Sequence, residues 1–136
     1  MWDGKRWKRF DHQRRIPSDV LRGWANALGR KHKQIRASKT FESLLEVLED
    51  ESQKFWRHSE LTVYDTALRI GAYLRLEPKE IHLHTGARDG AKALGFRGGR
   101  RSLRPNELPR SLRRLKPYEI EHCLCIYKSH LKEIQF

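Results

Sequence analysis

Apolar positions in this chain recur almost everywhere with the period of a helix. Val20, Leu21, Trp24, Ala27 and Leu28 form an i, i+3/i+4, i+7 stripe, which predicts an amphipathic helix. Pro17, Ser18 and Asp19 supply its start, and Gly29 is expected to end or kink it. From Thr40, Phe41, Leu44, Leu45, Leu48, Phe55 and Trp56 repeat in the same way, while Glu42, Glu46, Glu49, Asp50 and Glu51 fill the other side. This is an acidic packing helix over residues 40–57, its carboxylates either solvated or paired with basic segments. Residues 30–39 between the two stripes read as a polar, basic connector. A third stripe follows Thr62, an N-cap with Asp65 three residues on. It runs to Leu76 and turns Leu61, Tyr64, Ala67, Leu68, Gly71, Ala72 and Leu74 inward; the small residues Ala67, Gly71 and Ala72 predict close approach by another helix.

Residues 80–84 break the helical period. Ile81 and Leu83 alternate with His82 and His84, and this period-2 run is too short to decide between a strand and a helical turn. Thr85 and Gly86 then read as the cap of a helix through Leu94, closed by Gly95. The stretch GFRGGRRSLRPNELP is an exposed, arginine-rich loop by its glycines and prolines, and a short helix follows over 108–115. Pro117 suits the first position of a last helix, with Glu119 and Glu121 in its first turn, where the dipole favours anions. Ile120, Cys123, Leu124, Tyr127, Leu131 and Ile134 are its apolar stripe. The pattern predicts a mainly α protein: a flexible basic arm over 1–16 and one helical domain of six or so helices over 17–136, with 97–114 exposed. Helices 40–57 and 61–76 are expected to share a core with the last helix.

Composition narrows this reading in one respect. Hydrophobic residues make up 38% and charged ones 34%, against about 45–50% and about 25% in ordinary globular domains, so a small core sits under a heavily charged exterior. No apolar run is long enough to span a membrane, and the first thirty residues lack the apolar centre of a secretion signal. Cys123 and Cys125 are too close in sequence to staple distant segments and suit reduced thiols. A cytoplasmic location with no membrane contact is the expectation.

Charge changes the picture most. The net charge is +12. Residues 1–36 carry 11 Lys or Arg against 3 Asp, and residues 95–116 carry 8 against 1 Glu. Concentrated positive charge makes a field that selects polyanions, and rings beside it can stack on unpaired bases. The candidate nucleic-acid contacts are Lys5, Arg6, Trp7, Lys8, Arg9, Arg14 and Arg15 in the arm, and Arg97, Arg100, Arg101, Arg104, Arg110, Arg113 and Arg114 in the second block. The arginine preference in that block favours forked phosphate contacts over simple charge. Nucleic acid is thus the expected partner, RNA ahead of duplex DNA because of the aromatic residues in the arm.

Two alternatives stay open. If residues 80–84 are extended, His82 and His84 share a face beside Arg88 at a helix N-terminus. Two imidazoles that take and give a proton, with a cation on the phosphorane, suffice for metal-independent RNA cleavage. The chain would then be a small basic nuclease, a toxin module among the options, with Asp65 or Glu80 orienting the base. In the other alternative it is a helical adaptor for an acidic protein. Asp65 and Arg69 also have the spacing of a plain intrahelical ion pair. His82, His84, Cys123 and Cys125 are zinc-ligand types, but two thiols spaced i, i+2 on a helix diverge, and no metal or cofactor is expected. Residues 85–93 depart from the helix-hairpin-helix signature, since Gly86 is followed by Ala87 and Arg88 where a second glycine belongs.

Overall fold

The helical period is realised in six α-helices among the described residues, joined by one two-stranded ribbon. The computed structural model describes residues 16–54 and 59–134. Phe55, Trp56 and the arm residues Lys5, Arg6, Trp7, Lys8, Arg9, Arg14 and Arg15 lie outside them. Two compact units divide the chain, Met1–Leu76 and Glu77–Phe136, and each has its own apolar cluster.

In the first unit, α1 (Ser18–Arg30) buries Trp24 and Ala27. It runs straight through Gly29, next to which there is open space. The expected connector contains a helix, α2 (His32–Ala37), because its one large apolar side chain, Ile35, is buried. A six-residue helix is marginal alone, and burying an isoleucine contributes about 2 kcal/mol toward holding it. The acidic helix is α3 (Phe41–Ser52), with Phe41, Leu44, Leu45 and Leu48 inside. Thr40 Oγ1 accepts from the Ser43 N–H at 3.1 Å while Ser43 Oγ accepts from the Thr40 N–H at 3.3 Å. Replacing Thr40 by Ala is expected to lower stability by about 1 kcal/mol, read by urea denaturation, with Thr40→Ser close to wild type. Equal midpoints for all three proteins would show that this cap contributes nothing.

α4 (Glu60–Leu74) starts earlier than expected. Its cap is Ser59, whose Oγ accepts from the Thr62 N–H at 3.2 Å. Thr62 is fully buried at the third helical position, whereas Leu61, expected inside, is exposed. Asp65 pairs with Arg69 at 3.0 Å along the helix. The small-residue expectation holds at Ala67 and Gly71, both buried, and fails at Ala72, which is exposed. A Cβ on Gly71 would lie 2.8 Å from the Leu76 carbonyl and 3.3 Å from Phe41 Cδ2. Phe41 meets Tyr64 edge-on, centroids 5.9 Å apart, a favoured aromatic geometry. Of the acidic face, Glu51 is buried. Its carboxylate accepts from Lys54 Nζ at 2.9 Å and lies 3.5 Å from Lys31 Nζ, and the Lys54 hydrogen bond holds its pKa below the usual carboxylate value.

The second unit is built on Ile81, Leu83, Ala87, Ala91, Leu103, Leu108, Leu112, Ile120, Leu124 and Leu131. Its elements are β1 (Ile81–His82), α5 (Thr85–Ala93), β2 (Ser102–Leu103) and α6 (Pro117–Ile126). α6 therefore packs in this cluster, whereas α3 and α4 share the other one, contrary to the common core that the stripes suggested. β1 pairs antiparallel with β2, Ile81 opposite Leu103 and His82 opposite Ser102. Gly95, at φ +96°, closes α5 as expected.

α5 and α6 approach through glycine. A Cβ on Gly90 would collide with the backbone carbonyl of Leu124, and one on Gly86 with Cys125 Sγ. These glycines are four residues apart and so lie on one helix face. Of the two carboxylates expected in the first turn of α6, only Glu119 lies there; Glu121 falls one turn on and is 4% exposed.

Candidate nucleic-acid interface

The second basic block, expected as an exposed arginine-rich loop and a short helix, has buried residues within it. Leu103, Leu108 and Leu112 are buried anchors, Leu103 within a strand and Leu112 within a short 3₁₀ turn, Leu112–Arg114. The Leu83 N–H donates to the Arg101 carbonyl at 2.8 Å and continues the ribbon. Arginines are thereby interleaved with core leucines, and their backbone is held by the core.

Two of the seven arginines serve the scaffold. Arg100 forks onto Glu107, with contacts of 2.8 and 2.9 Å, and its guanidinium lies 5.8 Å from the centroid of the Phe96 ring. Glu107 also accepts from the Arg104 N–H at 2.8 Å. The Arg100 hydrogen bond, aided by the Arg104 N–H, lowers the Glu107 pKa. Arg113 Nε donates to the Leu108 carbonyl at 2.7 Å. Arg97, Arg101, Arg110 and Arg114 are exposed and make no ion pair among the described residues. Arg104 is exposed as well. One carboxylate, Glu107, therefore serves a segment of seven arginines.

Residues 80–84 follow the extended alternative. Ile81 and Leu83 are buried, His82 and His84 half-buried, and His84 caps α5 with extended backbone. Alternation along the extended backbone sets His82 and His84 on one side and the buried Ile81 and Leu83 on the other, with Nε2 of each imidazole itself buried, and Arg88 follows in the first turn of α5. Arg88 Nε donates to the Leu83 carbonyl at 3.2 Å, which ties that guanidinium to the strand end. Glu80 accepts from Ser102 Oγ at 2.9 Å. Asp65 belongs to the first unit and is engaged by Arg69 on its own helix. Cys123 and Cys125 are half-buried on α6, and burial raises both thiol pKa values. No group of three or more His, Cys, Asp or Glu suited to a metal occurs among the described residues.

Two basic surfaces lie outside the candidate contacts that the sequence offered. In the first unit Arg30, Lys33, Arg36 and Lys39 are exposed on and around α2; the stretch was legible as basic, but its helix rests on a single isoleucine. In the second unit Lys92, Lys128, Ser129, Lys132 and Asp89 line an open groove of about 380 Å³. No local pattern announces that groove, since its lysines come from segments more than thirty residues apart. No helix among the described residues is long and apolar enough to cross a membrane. Comparison with known protein families, curated proteins and solved structures finds no match.

Proposed function

We propose that this protein binds nucleic acid by phosphate contacts from the arginine segment of its second unit, with RNA preferred. The observation that carries the reading is the set Arg97, Arg101, Arg104, Arg110 and Arg114, exposed on backbone anchored by Leu103, Leu108 and Leu112. A guanidinium on fixed backbone loses less freedom on meeting a phosphate than one on a loose loop, and its fork matches the phosphate oxygens. The aromatic residues Trp2, Trp7 and Phe10, set among Lys and Arg in the arm sequence, support stacking on unpaired bases and hence the RNA preference. Two reduced thiols suit a cytoplasmic setting.

The test is fluorescence anisotropy with single-stranded RNA, tRNA and duplex DNA over a salt series, with denaturing gels from the same tubes in EDTA. Each neutralised phosphate adds about 0.7 to the log–log salt slope on single strands and about 0.9 on duplex DNA. Arg110→Ala with Arg114→Ala should lower the slope on single-stranded RNA by about 1.4 and weaken binding roughly tenfold at low salt. No binding to any of the three near 0.15 M salt would reject the reading and favour an acidic protein partner. Shortened RNA that persists in EDTA and vanishes in His82→Ala would replace it with the nuclease.

A further inference from the structure

We infer that the groove lined by Lys92, Lys128, Ser129, Lys132 and Asp89 is a site for a phosphate monoester, and that it receives the phosphorylated end of a bound strand. The second half of this statement rests on the proposed function; the first half does not.

The lining residues, three lysines and one aspartate, carry a net charge of +2. A phosphodiester within a strand carries a single negative charge, whereas a monoester carries about −1.5 to −2 at pH 7. The lining therefore matches a terminal phosphate better than an internal one. Lysine suits the purpose, because an ammonium is a compact charge with three donors that adapts to a tetrahedral anion without a fixed fork. Ser129 also lines the groove, its hydroxyl 3.3 Å from His130 Nδ1.

The surroundings point to a nucleotide. The turn that carries Lys128 and Ser129 is closed by the His130 N–H on the Tyr127 carbonyl at 2.9 Å. It presents the Tyr127 and His130 rings, centroids 6.4 Å apart and both exposed. Neither ring lines the groove, but an exposed ring next in the chain to a groove lysine can meet the base or sugar of a bound nucleotide.

The groove also adjoins the arginine segment. Lys92 lines it, and a Cβ on Gly98 would lie 3.3 Å from Lys92 Cε and 3.9 Å from its Nζ, so the end of that side chain, ammonium included, lies beside the residue that follows Arg97. A strand held by the arginines thus has a positively charged neighbour at which to end.

The experiment has two arms. In the first, ¹H–¹⁵N spectra of the full chain are titrated with 5′-AMP and with adenosine. AMP is expected to shift the amides of residues 128–132 and of Lys92, and adenosine to bind about tenfold more weakly or not at all. Lys128→Ala with Lys132→Ala should abolish the AMP shifts, and Lys128→Arg with Lys132→Arg should restore them, which separates charge from packing. Equal shifts with adenosine, or none with AMP, would overturn the site whether or not the protein binds RNA. In the second arm, one 12-nucleotide RNA is compared with a 5′-phosphate, with a 3′-phosphate and with neither. About tenfold tighter binding of one phosphorylated form, lost in the double alanine variant, identifies the end that is held. Equal affinity for all three RNAs overturns the strand-end assignment while leaving the arginine-mediated reading intact; no binding of any RNA defeats that reading and the strand-end assignment with it, and AMP alone then decides the site.

Discussion

Replacing Gly90 by alanine is expected to destabilise the second unit by about 3 kcal/mol or more, set against the roughly 1 kcal/mol that alanine gains over glycine inside a helix. The added methyl would sit on the backbone carbonyl of Leu124, and a helix backbone has no rotamer with which to move away. α5 and α6 would have to separate, and Ile120, Leu124, Ala87 and Ala91 would lose packing with them. Gly86→Ala is a graded comparison: its collision is with Cys125 Sγ, a side chain that Cys125→Ala removes, so the double variant should recover most of the loss. Gly29→Ala, with open space beside it, should be neutral or stabilising by up to about 1 kcal/mol. Urea denaturation followed by circular dichroism gives the totals, and amide exchange in α5 and α6 localises them. A Gly90→Ala protein as stable as Gly29→Ala would show that the two helices do not meet at this distance.

The second large effect comes from Glu121 and depends on pH. Burial raises its pKa from the usual 4.5 to about 7. His122 Nδ1 lies 3.9 Å away. The sign follows from proton counting: between pH 4.5 and 7 the unfolded chain has released this proton while the folded chain keeps it. The native state is therefore favoured at low pH, and that stability is full below about 4.5, falls through the window and is lost above about 7. A shift of this size amounts to roughly 3 kcal/mol. Glu121→Gln removes the ionisation and keeps the shape. It should match wild type at pH 4 and exceed it by about 2–3 kcal/mol at pH 8. Identical urea midpoints for the two proteins at pH 8 would show that the carboxylate ionises without penalty in the folded state.

How far sequence alone reached differs between the two candidate surfaces. The arginine segment was legible as a basic surface because a charge block is a local property of the chain. Its glycines, prolines and arginines outnumber its leucines, so composition alone predicts an exposed loop and hides the buried anchors. Leu103 is buried because Ile81, more than twenty residues away, lies opposite it in the ribbon. The lysine groove was illegible for a similar reason: Lys92 is the one lysine of α5, and only packing of the chain brings it to Lys128 and Lys132. For His82 and His84, alternation with Ile81 and Leu83 left two conformations open, and pairing with Ser102–Leu103 decided for the extended one.

Helix positions, most buried faces and the basic character of two segments follow from the amino-acid order, because helical hydrogen bonds close within four residues and charge needs no partner to be counted. Which stripes share a core does not follow, since an apolar face is satisfied by any complementary face. α3 and α4 share one cluster, and α6 is buried in another with α5 and the ribbon. That partition places Glu121 out of water, turns Gly86 and Gly90 into contact points and aligns three lysines along one groove. Each of these depends on distances between residues remote in the chain, and tertiary packing alone sets those distances.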